Sequence, residues 1–410
     1  GKVACHTAPH MTPDSSPPPH APALPAQVTP RLWDVFCRVI DNHGDLGVLW
    51  RLSCQLAARG DTVRLWVDDA RALAWMAPDG HPGVQVCAWA DSTDLPTLQA
   101  LPMADVWIEG FGCEIDSIFI AHYLSDKSDE CDFSSQFHSW INLEYLTAES
   151  YAARCHGLPS PVMSGPGKGR LKRFHYPGFT PDTGGLLREP DLAERQTAFN
   201  RKAWLQTQGI TWQGETLVSL FCYEPTALSA FMQGLAAAPS ATQMLVTHGR
   251  AAAAVAQVCA RLRWPAAGSG NLRLHHLHPL TQIDYDHLLW ACDLNFVRGE
   301  DSLVRALWAR KPFVWHIYPQ DDGAHIGKLD AFLDWAQAPN AVRIMHTQWN
   351  AATAPDTSPE NLIDRWRDAG PWVQQLADTL GAQPDLVSQL LGALPANAGL
   401  PPGVAVTSER

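Results

Sequence analysis

The sequence predicts an α/β protein made of two halves, each built on a parallel sheet. Three observations carry this expectation. A strand, a polar loop, a helix and a second strand follow one another within about 35 residues, from Trp33 to Val67, which is the pattern of a βαβ unit. The same alternation restarts at Leu217 and runs to Ile317. The 410 residues of the chain are enough for two domains.

The elements follow in order. Residues 1–28 are rich in Pro, Ala and Ser, and eight of the 32 prolines fall in the first 30 residues, so a disordered head is expected. Structure starts at Trp33–Ile40 (WDVFCRVI), a β-rich run. The polar loop Asp41–Gly47 (DNHGDLG) leads into VLWRLSCQLAARG, whose apolar residues recur at helical spacing, with Gly60 as a C-cap. Thr62–Val67 reads as the second strand, and Ala104–Gly110 and Ser139–Glu144 as later strands of the same sheet. Residues 163–179 turn basic and rich in Gly and Pro, with Lys168, Arg170, Lys172 and Arg173; a solvated loop is the default reading and an acidic partner the alternative. The second half offers strands at Leu217–Phe221, Met244–Thr247, Leu272–His275, Leu294–Val297 and Phe313–Ile317. A helical segment at about 360–394 closes the chain before a frayed tail.

Composition and charge narrow the function. Thirty Lys and Arg against 42 Asp and Glu give a net charge of −12, a poor match to a general nucleic-acid binder. A basic protein partner remains compatible with it. The ten cysteines are scattered, with no Cys-x-x-Cys pair, which suggests reduced thiols and a cytoplasmic location. No apolar run reaches the ~20 residues of a membrane helix.

Ligands of open α/β sheets bind at the carboxyl ends of strands, so the loops that follow strands are the candidate sites. DNHGDLG is one: Asp41 and Asp45 flank Asn42, His43 and Gly44, and the glycines permit close backbone approach. It is not G-x-G-x-x-G, so a dinucleotide site is not supported. The residues leave open whether Asp45 caps the helix or faces a ligand. Phe296–Ser302 (FVRGEDS) is the second: Arg298 suits a diphosphate, with Ser302 and helix N–H groups as further donors, whereas Glu300 and Asp301 would repel one. Phe221 and Tyr223 point to one side of a strand end, for stacking or for the core. Gln282 and Tyr285 are expected to precede a helix, where they are able to read a base edge. Asp284-Tyr285-Asp286 matches the Asp-x-Asp of metal-dependent glycosyltransferases, but without a strand context it does not support a metal site, and His275–His278 lacks companion ligands.

Taken together, DNHGDLG, INLEYLTAESY, CHGLPSP, YPGF, the Phe221–Pro225 run, FVRGEDSLVRA and KPFVWHIYPQDDGAHIGKLDAF resemble the EarP family of bacterial protein-arginine rhamnosyltransferases, which modify elongation factor P, from about Trp33 to Leu394. The resemblance implies a GT-B fold, two Rossmann-like domains facing each other across a central cleft. The domains would lie at 29–180 and 212–356, with a linker at 181–211, C-terminal helices at 357–395 packing back on the first domain, and a tail at 396–410. It implies dTDP-β-L-rhamnose as donor, an arginine of elongation factor P as acceptor, inversion at the anomeric centre, and no metal or other cofactor. By match to the family motifs, Asp45 would be the general base, with Asp41 and Glu300 essential nearby. Asn42, His43 and Gly44 would line the sugar side. Tyr223, Gln282, Arg298, Gly299, Asp301 and Ser302 would hold the nucleotide and diphosphate, Phe221 and Tyr285 would flank the thymine, and Tyr318 would lie close to the phosphates. The family usually carries Phe at the positions of His43 and Tyr285, and the head and Ser125–Phe137 look peculiar to this chain. The fold alone leaves a GT-B enzyme of small molecules, such as an epimerase, or a non-catalytic binder of elongation factor P as alternatives.

Overall fold

The computed structural model describes residues 29–40, 43–124, 138–354 and 365–395. Among them, the first sheet comprises β1 (Leu32–Cys37), β2 (Thr62–Val67), β3 (Val84–Ala88), β4 (Val106–Gly110), β5 (Ser139–Leu143), β6 (Pro159–Pro161) and β7 (Leu171–His175). Their order is β3-β2-β1-β4-β5-β7-β6, parallel except for β6. The second sheet comprises β8 (Thr216–Leu220), β9 (Thr242–Val246), β10 (Gly268–Ser269), β11 (Leu272–His276), β12 (Leu294–Arg298) and β13 (Phe313–His316). Their order is β10-β11-β9-β8-β12-β13, parallel except for β10.

The central strands are apolar along almost their whole length because helices cover both faces. β9 and β13 are buried at every residue, and Trp33, Trp66, Trp107 and Trp349 rank among the largest fully buried side chains. The charges that do enter the first sheet are paired. Asp34 of β1 and Arg64 of β2 stand in register and form a bidentate pair at 2.7 and 2.8 Å, and Trp66 Nε1 donates to the same carboxylate at 2.8 Å. Removing one partner strands a buried charge. Asp34→Asn is therefore expected to cost about 3–5 kcal/mol, read as a lowered urea midpoint.

Each sheet reverses its strand order once, between β1 and β4 and between β8 and β12. A crevice opens at the carboxyl side of each reversal. The DNHGDLG loop follows β1, and the RGEDS loop ends β12. The architecture is GT-B.

Three expectations need correcting. The basic segment is not a solvated loop throughout: residues 171–175 form β7, and Lys172 lies over Trp140 at 4.7 Å and grips the buried Glu109 of β4 at 3.0 Å. Residues 201–210, placed in a linker, belong to the second half, because Trp204, Leu205 and Ile210 pack with Leu217, Leu245 and Leu288. The C-terminal helices do not both return to the first half. Val373, Leu376 and Leu380 of the helix Gly370–Gly381 join the core of the second sheet, whereas Leu386, Val387 and Leu390 of the helix Leu386–Ala393 join the core of the first. The proposed head, the Ser125–Phe137 segment and the tail from 396 lie outside the described residues. No described helix is long and apolar enough to cross a membrane.

Candidate active site

The helix Gly44–Ala58 begins within the DNHGDLG segment, taking in Gly44–Gly47, and its N-cap is His43. Asp45 sits in the first turn, where a negative charge stabilises the helix end. Its carboxylate does not cap the helix. It accepts a hydrogen bond from the hydroxyl of Tyr145, just beyond β5, at 2.9 Å. Gly47 is needed for close approach: a Cβ there would meet Gln282 Nε2 at 3.2 Å, and that amide donates to the Gly47 carbonyl at 3.0 Å, tying the first half to the helix Gln282–Ala291 of the second. Asp41 and Asn42 lie outside the described residues.

On the opposite side, Gly299 turns the chain at φ +68°, in the left-handed region. Trp315 Nε1 fixes this turn by donating to the Gly299 carbonyl at 2.9 Å. Glu300 occupies the N-cap place of the helix Asp301–Ala309 but makes no side-chain capping bond. Its carboxylate instead accepts the Leu146 N–H at 2.8 Å, with Lys328 Nζ 3.8 Å away. Residues 145 and 146 thus reach both carboxylates, one from each sheet.

A cavity of 460 Å³ lies between the two loops. His43, Gly44, Phe221, Tyr223, Gln282, Tyr285, Arg298, Gly299, Glu300, Asp301 and Ser302 all line it. Asp45 faces a second, smaller hollow of 300 Å³ at the reversal of the first sheet, beside Arg38, Ile40, Phe111 and Glu114. Tyr318 packs edge-on to Tyr223 at 5.3 Å and is partly exposed. Ser302 is committed to its own turn: its hydroxyl donates to the Arg298 carbonyl and accepts the Arg298 N–H. Asp301 does not face a phosphate site alone, because Arg51 Nε holds it at 2.9 Å.

The two sides of the site have opposite electrostatics. Burial raises the Asp45 carboxyl to about 6, against the Tyr145 hydrogen bond, which lowers it. Burial raises Glu300 to about 7; Lys328 opposes this and Asp45 adds to it. Both are thus poised to exchange protons near neutral pH. Arg298 is the reverse. Its guanidinium lies over Phe221 at 4.2 Å and Tyr223 at 4.7 Å and donates to the Cys222 carbonyl at 3.1 Å, while no described carboxylate comes within ion-pair distance. Burial, with the nearby Arg250, disfavours its charge. A buried cation of this kind suits an anionic ligand.

Asp284 and Asp286 line one hollow, but each carboxylate is engaged by its own partner. Asp286 is gripped by Arg305 at 2.7 and 2.8 Å, and Asp284 accepts from Trp204 Nε1 at 3.1 Å. Among the described residues no group of three or more His, Cys, Asp or Glu side chains is placed to hold a metal ion.

Sequence reasoning did not single out Tyr145, Leu146, Arg51, Trp75, His248 or Lys328. Arg51 bridges the halves, binding Asp301 and lying 3.6 Å from Asp286 and 3.8 Å from Glu189. Trp75 from the first half packs on His248 from the second at 4.6 Å, and both line the 460 Å³ cavity. Position within INLEYLTAESY was the one available signal for Tyr145, and nothing in its spacing marks a role.

Residues 33–394 match the family model described as Elongation-Factor P (EF-P) rhamnosyltransferase EarP. A protein-arginine rhamnosyltransferase of Pseudomonas aeruginosa is 39% identical over 387 residues, covering 88% of this chain and 97% of the relative. One of Neisseria meningitidis is 33% identical over 316 residues, covering 74% and 78%. A solved structure described as the structural basis for EarP-mediated arginine glycosylation of translation elongation factor EF-P is 28% identical, with a TM-score of 0.58 over 88% of this chain and 98% of that one.

Proposed function

The chain belongs to the EarP family of protein-arginine rhamnosyltransferases, and on that premise we propose that it moves L-rhamnose from dTDP-β-L-rhamnose to one arginine of elongation factor P, with inversion, and so activates the factor. The reaction needs no metal ion, and the protein works in the cytoplasm. One observation carries the reading. Two proton-accepting carboxylates, Asp45 and Glu300, are held by the adjacent residues Tyr145 and Leu146, and the unneutralised Arg298 lines the same cavity as Glu300.

The chemistry follows from that polarity. A guanidinium stays protonated in water and is a poor nucleophile. Held by carboxylates, it has its charge drawn to one side and a second nitrogen aimed at the sugar. Asp45 takes the N–H proton as that nitrogen forms its bond to C1 of rhamnose. The C1–O bond breaks on the opposite face, and dTDP leaves with the electron pair. Inversion follows from attack opposite the leaving group. Arg298 and the amides at the start of the helix Asp301–Ala309 stabilise the departing diphosphate, the work a metal does elsewhere. Glu300 stabilises the positive charge of the arginine and of the oxocarbenium-like sugar.

The direct test is incubation with elongation factor P and dTDP-rhamnose, followed by intact-mass and fragment analysis. A mass gain of one deoxyhexose on an arginine is expected; no gain overturns the proposal. The pH dependence has a definite sign. Asp45 and Glu300 act ionised, so kcat/KM should fall as pH drops through the range from about 7 to about 6. A bound guanidinium favours both ionised forms, so the acidic limb of kcat should lie lower than that of kcat/KM.

A further inference from the structure

We propose that Tyr145 is a positioning residue that aims and fixes the Asp45 carboxylate, while the neighbouring Leu146 N–H docks Glu300, so that one two-residue turn sets the two carboxylates against each other. The inference rests on the reading of Asp45 as the base.

The geometry is specific to this turn. Residues 145 and 146 follow β5 of the first sheet. The Tyr145 hydroxyl donates to Asp45 Oδ2 at 2.9 Å, and the next backbone N–H donates to Glu300 Oε1 at 2.8 Å. Asp45 lies 100 residues back in the chain, and Glu300 lies 154 residues ahead in the second half. The tyrosine ring is itself held. Phe111 stacks on it at 4.6 Å and 18°, and Lys328 Nζ lies 5.8 Å above it. Phe111 sits at φ +56°, a conformation costly for a bulky residue, and its N–H bonds the Leu143 carbonyl at 2.8 Å. The first sheet therefore spends backbone strain on a support for Tyr145.

The consequence is electrostatic as well as geometric. The hydroxyl donates to the ionised carboxylate, favouring the form that accepts the arginine proton and opposing the effect of burial. Among the described residues, the other titratable or charged groups around Asp45 are Cys37 of β1, Arg38 beyond it, Cys113 and Glu114 after β4, and Glu300. Burial keeps both thiols protonated, so neither supplies a competing charge near neutral pH. Tyr145 is thus the uncharged donor that tunes the base.

The test compares wild type with Tyr145→Phe and with Phe111→Leu, which removes the stack but keeps the hydroxyl. Tyr145→Phe is expected to lower kcat about tenfold and to move the acidic limb of its pH profile up by about one unit, with dTDP affinity unchanged. Phe111→Leu should move both in the same direction by less. An unmoved pH limb in Tyr145→Phe overturns the proposal, whether kcat holds or falls. So does a parallel loss of dTDP affinity, which would mark a merely structural part. A second readout needs no turnover: the Asp45 carboxyl, followed by carbon NMR in aspartate-labelled protein, should titrate higher in Tyr145→Phe than in wild type. That shift persists if the transfer reaction assigned above is wrong, so the two failures are separable, and its absence sinks the tuning role by itself.

Discussion

Asp45→Asn is expected to abolish transfer and, at the same time, to make the protein more stable. Loss of a general base costs on the order of 10²–10⁴ in rate, and the amide cannot take the guanidinium proton. The substitution is otherwise mild, because the Asn carbonyl still accepts from Tyr145. Stability rises for a reason found in the same carboxyl. Its value in the folded protein, about 6, lies above the ordinary 3.8, so folding favours the protonated form. A group raised in this way contributes fully below the unfolded value, and the contribution is lost as pH rises through the folded one. Above pH 6 the wild type therefore carries a buried charge at a cost of up to about 3 kcal/mol, which the amide removes. Glu300→Gln should behave alike, and its Oε1 still accepts the Leu146 N–H. Part of each cost is the repulsion between the two charges, so the double variant should gain less than the sum. Thermal melts of wild type and both variants at pH 5 and pH 8 check this. The expected result is a higher Tm for the variants at pH 8 and a small difference at pH 5, with dTDP binding retained. Equal differences at both pH values would remove the electrostatic account, and lost dTDP binding would move Asp45 into the donor site.

The ease of reading the chain varied with how far apart the partners lie. Strands such as β1, β9 and β13 announce themselves because a sheet covered on both faces requires continuous apolar runs. β3 (VQVCA) escaped notice because it is the edge strand of its sheet, with Gln85 exposed. β7 (LKRFH) escaped because two adjacent cations read as solvated. Yet Lys172 turns inward to Glu109, 63 residues earlier, a partner that local patterning cannot supply. The same limit applies at the site. Residue type and loop position single out Asp45, Arg298 and Glu300; the fold brings Arg298 and Glu300 to one cavity and ties Asp45 to Glu300 through Tyr145 and Leu146. Tyr145 and Arg51 gain their roles only through partners 100 and 250 residues away. Gln282 shows the converse. Expected at the nucleotide, it lines the cavity and also donates its amide nitrogen to the Gly47 carbonyl, where it joins the two halves. Glu300 is the instructive intermediate. Acids at a helix start ordinarily stabilise that helix, and only the Leu146 contact shows this one turned outward.

Replacing Arg298 should produce the largest loss on the donor side. The guanidinium is packed over two aromatic rings, bonded to one carbonyl, and faces no described carboxylate. It remains charged at any working pH. Its neighbour Arg250 is different, because Glu224 already neutralises it through bonds of 2.9 and 2.6 Å. Without nucleotide, Arg298 is a cation whose desolvation is poorly repaid, and Arg298→Met, which keeps the packing volume on the rings, should leave the Tm unchanged or raise it. With nucleotide the order reverses. Charge-assisted bonds from a buried guanidinium to a diphosphate are worth about 2–5 kcal/mol when one partner is removed, so dTDP affinity should fall about 30-fold to several thousand-fold. Ligand binding stabilises a protein in proportion to the logarithm of concentration over Kd, so the thermal shift that dTDP gives the wild type should vanish in the variant. Arg250→Met should lose much less, since it removes a cation that is already paired. Calorimetric titration with dTDP and with thymidine separates the terms: the variant should lose affinity for dTDP while keeping that for the nucleoside. If Arg298→Met still binds dTDP within about threefold of wild type, the diphosphate does not lie against this guanidinium, and the polarity assigned to the cleft fails with it.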